Sequence, residues 1–343
     1  MLLPEWMFLF RSVIPPTICP ATEILGGVIL WEVKDNCEKQ EYITGRESIT
    51  MKKHAMLIMA HNQFDILEKL LIMLDHERND IYIHIDRKSG FFDEEHFKQL
   101  CHHSRVTFIP RKRLYWGHSS LVECELDLME AALSSGEMYC YFHLLSGVDL
   151  QIKHTEEIHR FFDEHPDQQF IALRNVYSGL NGLRRYYFFL PLRSYSKVLA
   201  KGLDIVSSYI QKMLKVDRLK RLGDIQFCKC QQWFSITEEC ARYVVSKRDW
   251  IHEFIRFTCC SDEMFMGTVI VNSEFKDQIY HPYRSLGGHM RLIDRERAEG
   301  ASPHTFTMED WEMIEQCPYF WARKFDTSRD SDVIEKVFNT WRS

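Results

Sequence analysis

The feature that most constrains this chain is a regular exchange between short apolar runs and stretches of helical spacing. It begins at Lys53 and continues to about residue 175. "HAMLIMA" (54–60) is a short apolar run, and "QFDILEKLLIMLDH" after it places apolar residues at the spacing of one helix face. In "DIYIHID" (80–86), Ile81, Ile83 and Ile85 alternate with Tyr82 and His84, which is strand periodicity. A charged helical stretch near 92–101, a short strand "RVTFIP" (105–110) and a helix "SLVECELDLMEAALSS" (120–135) follow. The aromatic and apolar run Tyr139 to Leu145 reads as a buried strand. "TEEIHRFFDEH" reads as a helix with Thr155 as its cap, and "QQFIALRN" (168–175) closes the series. Strands alternating with helices predict an α/β fold, with a mostly parallel central sheet and helices on both faces. In such sheets ligands, typically nucleotides, sit beyond the carboxyl ends of the strands.

Three of those strand ends carry polar residues: His61-Asn62, Asp86-Arg87-Lys88-Ser89 and Ser146-Gly147-Val148-Asp149. Turn chemistry alone accounts for any one of them. Three on the same sheet edge point to a site. The third offers a single carboxylate, Asp149, and no Asp-x-Asp pair follows a central strand. The one such pair, Asp330-Ser331-Asp332, lies in a polar segment near the C-terminus and reads as a turn or helix cap. The pattern changes beyond residue 176, where a basic and aromatic segment reads as helix and loop. There Arg184-Arg185, beside Tyr186-Tyr187, either grip an anionic or sugar acceptor or belong to an ordinary surface helix. "CQQWFSITEECARYVVSK" then gives a short strand, a Ser/Thr cap with Glu238 or Glu239, and a helix.

With 43 Lys+Arg against 49 Asp+Glu and no long basic run, nucleic acid is a poor partner. Eleven scattered cysteines, an odd number, favour reduced thiols and a cytoplasmic setting. Cys101-His102-His103 has no second half for a zinc site and reads as a solvated helix end. The first fifty residues are hydrophobic, but Glu5, Arg11, Glu23 and four prolines interrupt them before any run reaches the length of a membrane span. They also lack the n-region of a signal peptide. The folded domain is expected to open at Met51, with residues 1–50 a poorly ordered extension or an over-long start. Peripheral membrane association through them is the alternative.

The segments "LIMAHNQFDILEKLL", "YIHIDRKS", "LYWGHSSLVECELDLMEAAL", "FHLLSGVDLQIK", "QQWFSI", "CCSDEMFMGTVIVNS" and "SPHTFTMEDWEMIEQCPYFWARKFD" occur in one order. Together, from about Met56 to Asp326, they resemble glycosyltransferase family 14, the core-2/I-branching enzymes, which also takes in the peptide O-xylosyltransferases. The resemblance implies a GT-A type fold and a UDP-sugar donor. It also implies inversion at the anomeric carbon and no divalent metal or other cofactor. It divides the domain into a UDP-sugar-binding half (51–175), a helical acceptor-side insertion (176–225) and a catalytic and acceptor-binding half (226–343).

By the same resemblance Asp149 matches a lone carboxylate at a strand end. Arg323 and Lys324 lie against the pyrophosphate, where fixed cations replace a metal in stabilising the departing UDP, and Arg291 is a further cation. Glu263 is the base, a role suited to a carboxylate in a partly desolvated cleft. Ser261-Asp262-Glu263 is also what a helix N-terminus looks like. Asp86 contacts the uridine. Trp116-Gly117 forms a loop where backbone approaches the ligand, although His118 stands where relatives often carry a second glycine. Ser302 faces the donor, and Trp233 is either an acceptor-side stacking platform or a core residue. The donor sugar is GlcNAc or xylose, with "FWARKFD" and "SPHTFTMEDW" somewhat closer to the xylosyltransferase branch. The acceptor is a glycan, glycolipid or peptide hydroxyl. A binding-only relative is the competing reading. A dinucleotide-dependent oxidoreductase is set aside because no Gly-x-Gly-x-x-Gly follows the first strand.

Overall fold

The computed structural model describes residues 52–174, 180–221, 223–280, 288–298, 300 and 302–342; the expectation for residues 1–50 lies outside them. The anticipated alternation is present: β1 (Lys53–Ala60), α1 (Phe64–Leu74), β2 (Asn79–Ile85), α2 (Glu94–Gln99), β3 (Arg105–Phe108), α3 (Ser120–Leu133) and β4 (Tyr139–Ser146). A two-residue strand β5 (Leu150–Gln151), α4 (Thr155–Asp163) and β6 (Phe170–Arg174) come next. Then follow α5 (Leu180–Arg184), α6 (Lys197–Met213), β7 (Lys229–Thr237), α7 (Glu238–Ser246), α8 (Arg248–Ile255) and α9 (Phe265–Val271). The chain ends with β8 (Arg291–Ile293), α10 (Trp311–Gln316), β9 (Trp321–Arg323) and α11 (Ser331–Trp341).

Six strands form a mixed, mostly parallel sheet in the order β3-β2-β1-β4-β7-β6. Strands β1 to β4 run parallel to one another, with Ile58 opposite both Ile83 and Leu145. The two-residue period of the strands divides the core. Ala55, Leu57 and Met59 of β1 face α3, α7 and α9, whereas Met56, Ile58 and Ala60 face α1 and α11. Both faces of β1 are therefore covered, which is why its sequence is apolar throughout rather than alternating.

Two features differ from the sequence reading. β7 is a nine-residue central strand, not a short one, and it runs antiparallel between β4 and β6. Its beginning, Gln231 to Trp233, is thereby delivered to the edge where β1, β2 and β4 end. Thr155 is the first helical residue rather than the cap. Its hydroxyl is buried, donating to the Met73 carbonyl at 3.2 Å and accepting from Gln151 at 3.0 Å. Other caps stand as expected: Thr237 accepts from Cys240 N, and Asp330 accepts from the amides of Asp332 and Val333 at the start of α11. Cys101-His102-His103 follows α2 as a turn whose amides donate to the Asp75 carboxylate, at 2.8 Å from His102 and 2.9 Å from His103.

A second sheet, β5-β9-β8, has no counterpart in the sequence reading. β5 and β9 are antiparallel with Leu150 opposite Ala322, so Asp149 and Arg323 face each other one step further along. β8 runs parallel to β9 with Ile293 opposite Arg323, which carries the chain on to Arg295 at the same edge.

Candidate active site

A cavity of ≈ 430 Å³ opens beyond the carboxyl ends of the parallel strands. The end of β1 supplies His61 to Gln63, and the end of β2 supplies Asp86 and Lys88. β7 supplies Gln231, Gln232 and Trp233. The β9 segment adds Arg323 and Lys324. The turn after Cys260 adds Asp262 and Glu263, and Trp116 and Ser302 complete a wall. The structure thus brings Asp86, Trp116, Trp233, Glu263, Ser302, Arg323 and Lys324 around one space. Gly147 lets β1 and β4 end close together beneath it, since a Cβ there would meet the Ala60 Cβ at 2.6 Å.

Asp149 is fully buried behind that wall. Its Oδ1 accepts from Arg323 Nη1 at 2.8 Å and its Oδ2 accepts from the Ser146 amide at 2.9 Å. Burial raises its pKa, and the Arg323 guanidinium pulls the other way. The guanidinium of Arg323 also lies over the Trp233 ring, 4.3 Å from its centroid. Arg323 is therefore fixed from two sides, by an ion pair and a cation–π contact. Trp233 is buried, and the face it turns to Arg323 is not open to a sugar.

Arg291 occupies a different place from the one expected. It does not line the cavity but is buried, stacked on Trp321 at 4.7 Å. Its guanidinium donates to the carbonyls of Leu144 at 3.1 Å and Phe234 at 2.6 Å, to Ser235 Oγ at 2.9 Å, and to the His289 carbonyl. The fork that would suit phosphate oxygens is engaged by backbone, and it joins β4 and β7 of the large sheet to β8 of the small one. Arg184 and Arg185 also lie off the cavity wall. Arg184 pairs with Asp217 at 3.0 Å, and the Arg185 carbonyl accepts from Arg218. Gly117 sits one residue from the wall at φ 70°, its carbonyl accepting from the Cys260 amide at 2.8 Å, so it tethers the Trp116 loop to the turn that carries Glu263. His118 serves the helix it precedes, its Nδ1 accepting from the Ser120 amide at the start of α3.

Glu263 ends a single 3₁₀ turn, Ser261–Glu263, that leads into α9, and its carboxylate pairs with Lys229 Nζ at 2.7 Å. On the nucleotide side, Asp86 Oδ1 accepts from the Lys88 amide at 2.8 Å while its Oδ2 lies 3.4 Å from Lys88 Nζ.

Several cavity residues carried no recognisable signal in the sequence. Arg174 stands at the end of β6 and Arg295 just past β8, and they add two cations beside Arg323 and Lys324. Asp262 is the other. Burial, with the neighbouring Glu263 charge, pushes its carboxyl up to about 7, and its Oδ1 has no hydrogen-bond partner among the described residues. Behind it, Glu125 of α3 is fully buried and accepts from Gln232 Nε2 at 2.9 Å, with burial again raising its pKa.

A family model described as "Core-2/I-Branching enzyme" matches residues 55–316. Among curated proteins, the chain is 25% identical over 297 residues to "Xylosyltransferase 2" of Rattus norvegicus, covering 82% of this chain and 32% of that protein. It is 24% identical over 294 residues to "Xylosyltransferase 1" of Homo sapiens, covering 79% of this chain and 28% of that protein. The chain thus spans about a third of the length of the curated relatives it matches. Among solved structures, mouse "Xyloside xylosyltransferase 1" in its apo form matches at a TM-score of 0.32 and 11% identity, covering 79% of this chain and 96% of that one.

Proposed function

This chain belongs to the core-2/I-branching enzyme family of glycosyltransferases, and on that premise we propose that it is an inverting transferase of GT-A type acting on a UDP-sugar. The donor carries xylose or GlcNAc, and xylose is the first to test because the curated relatives are named xylosyltransferases. The acceptor is a hydroxyl of a glycan, glycolipid or peptide. The observation that carries this reading is that Glu263 lines the same cavity as Arg323 and Lys324.

In the proposed reaction the acceptor oxygen attacks the anomeric carbon from the face opposite the UDP. The Glu263 carboxylate takes the hydroxyl proton, the new C–O bond forms, and the bond to the β-phosphate oxygen breaks with its electron pair leaving on UDP. Charge then grows on the pyrophosphate. Arg323, held by Asp149 and Trp233, and Lys324 are suited to meet it with no reorganisation at that moment. Asp149 is a positioning residue. Both its oxygens are engaged, by Arg323 and by an amide, which favours the cation wall over a metal bound at Asp149. Asp86 and Ser302 are assigned to the uridine side, with Trp116 over the donor.

The test is Glu263→Gln, assayed for donor binding and for transfer against UDP-xylose and UDP-GlcNAc. A loss of about 10²–10⁴-fold in transfer with donor affinity retained is expected. Undiminished transfer would remove Glu263 from the mechanism. Donor binding without transfer in the unaltered chain, across a broad acceptor panel, would favour the binding-only alternative.

A further inference from the structure

Helix α6 is turned inside out. A surface helix ordinarily buries its apolar stripe and shows water its polar one. Here the inward positions Ala200, Asp204, Ser207 and Gln211 recur at helical spacing and are small or polar. The polar ones among them are held by hydrogen bonds. Asp204 pairs with Arg193 at 3.0 Å, and Gln211 donates to the Tyr186 carbonyl at 2.9 Å and accepts from the Tyr186 amide at 2.8 Å. The outward face carries Val198, Ile205, Val206, Tyr209, Ile210 and Met213, of which Val198 is 84% exposed, Tyr209 66% and Met213 67%. Leu214 and Tyr195 extend the patch beyond the two ends of the helix, at 71% and 72% exposed. A contiguous apolar face of this kind marks a surface that meets an apolar environment.

Charge identifies that environment. From Arg184 to Arg221 the chain holds ten Lys and Arg but only two Asp, within a protein whose net charge is -6. Both Asp residues are neutralised locally, Asp204 by Arg193 and Asp217 by Arg184. Lys197, Lys201 and Lys212 are exposed along one margin of the apolar stripe, and α6 itself holds no carboxylate besides Asp204. Two copies of this face brought together would oppose like charges. An anionic bilayer would not: it accepts the apolar side chains at the acyl boundary and the lysines among its phosphates. At 17 residues the helix is about 26 Å long. No helix among the described residues is long and apolar enough to cross a membrane. We propose that α6 docks this protein flat on an anionic membrane surface.

Its placement gives the docking a use. Arg193, which α6 holds through Asp204, lies over the ring of Trp116 at 5.9 Å, and Trp116 lines the cavity. The inward face of the docked helix is two contacts from the cavity wall, so an acceptor hydroxyl close to the membrane surface, as on a glycolipid headgroup, is the class that fits. That consequence rests on the transferase reading; the docking itself does not.

The test is sedimentation of the full chain with vesicles of phosphatidylcholine alone and of phosphatidylcholine with phosphatidylglycerol. Two variants are compared: Ile205→Glu with Tyr209→Glu, and Lys197→Glu with Lys201→Glu and Lys212→Glu. Circular dichroism checks that both are folded. The unaltered protein is expected to bind the anionic vesicles, less well as salt rises, and each variant to bind about tenfold or more weakly. Absence of vesicle binding would overturn the proposal. So would binding equal in all three proteins, which would assign it to another surface or to residues 1–51. A dimer in solution that Ile205→Glu with Tyr209→Glu dissolves, with no vesicle binding, would assign the face to a second copy. None of these outcomes depends on whether sugar transfer is observed.

Discussion

At the scale of single residues, the carboxylates around the cavity have distinct situations. Asp149 is buried against Arg323, so its replacement by Asn keeps the shape and removes the charge that fixes the guanidinium. Asp149→Asn is expected to raise the KM for donor and to lower transfer by up to about 10²-fold, the usual consequence of a misplaced cation. Arg323→Lys should fall in the same way, because a point charge reproduces neither the ion-pair geometry nor the stack on Trp233. Steady-state kinetics of the two variants are the check, and unchanged donor KM in both would separate Arg323 from the donor. Asp262 is buried without such a partner, and its carboxyl titrates near 7 against an ordinary 3.8. An acid whose folded pKa is raised binds extra protons on folding between those values. Its ionisation therefore costs nothing below about pH 4, costs progressively more as pH rises, and reaches its full cost above about pH 7. The upper limit is roughly 4 kcal/mol. Asp262→Asn should melt at a higher temperature than the unaltered protein at pH 8, with the gap closing toward pH 4. A gap independent of pH would show that the carboxyl is not the source.

Among the elements, Arg291 gives the sharpest contrast between sequence and structure. A cation on the pyrophosphate would leave stability intact when removed, whereas a guanidinium bridging two sheets would not. Arg291→Met removes the guanidinium donors to the Leu144 and Phe234 carbonyls and is expected to cost about 2–4 kcal/mol in urea denaturation. Retained stability with lost donor binding would restore the phosphate role. The motif around Arg291 was legible in the sequence; the direction of its side chain was not, because β8 has only three residues and no period to read. The same limit hid β5 and β9, which pair across some 170 residues of chain, and with them the reason Asp149 meets Arg323. Arg174 and Arg295 were missed for that reason too: each stands at a strand end whose neighbours are set by long-range register. By contrast, β1, α1, β2, α3 and β4 were readable because each is long enough to show its period and each packs beside its sequence neighbours. The α6 segment reads in the sequence only as helix and loop, and which stripe faces inward is settled by Asp204 and Gln211 finding partners in the segment that precedes the helix, Arg193 and Tyr186.

For the whole molecule, the cavity is a composite, with walls drawn from segments between Met59 and Asp326. A ligand that joins so many elements should stabilise them together. UDP-xylose or UDP-GlcNAc at a hundredfold excess over its Kd is expected to add roughly 2.7 kcal/mol and to raise Tm by a few degrees. Excess EDTA should not change that rise; a rise lost in EDTA and regained with manganese would overturn the fixed-cation account. The small sheet carries a further consequence, for biosynthesis. β9 is its middle strand, hydrogen-bonded to β5 on one side and β8 on the other, and it bears Arg323 at its end. On the ribosome, the large sheet can begin to assemble while that strand is still in the exit tunnel. The cationic end of the pocket gains Arg323 and Lys324 only when residues 321–324 emerge and slot between strands already made. On the transferase reading, a nascent chain arrested before that point would hold the large sheet without Arg323 and Lys324, so that donor capture would come after the assembly of that sheet.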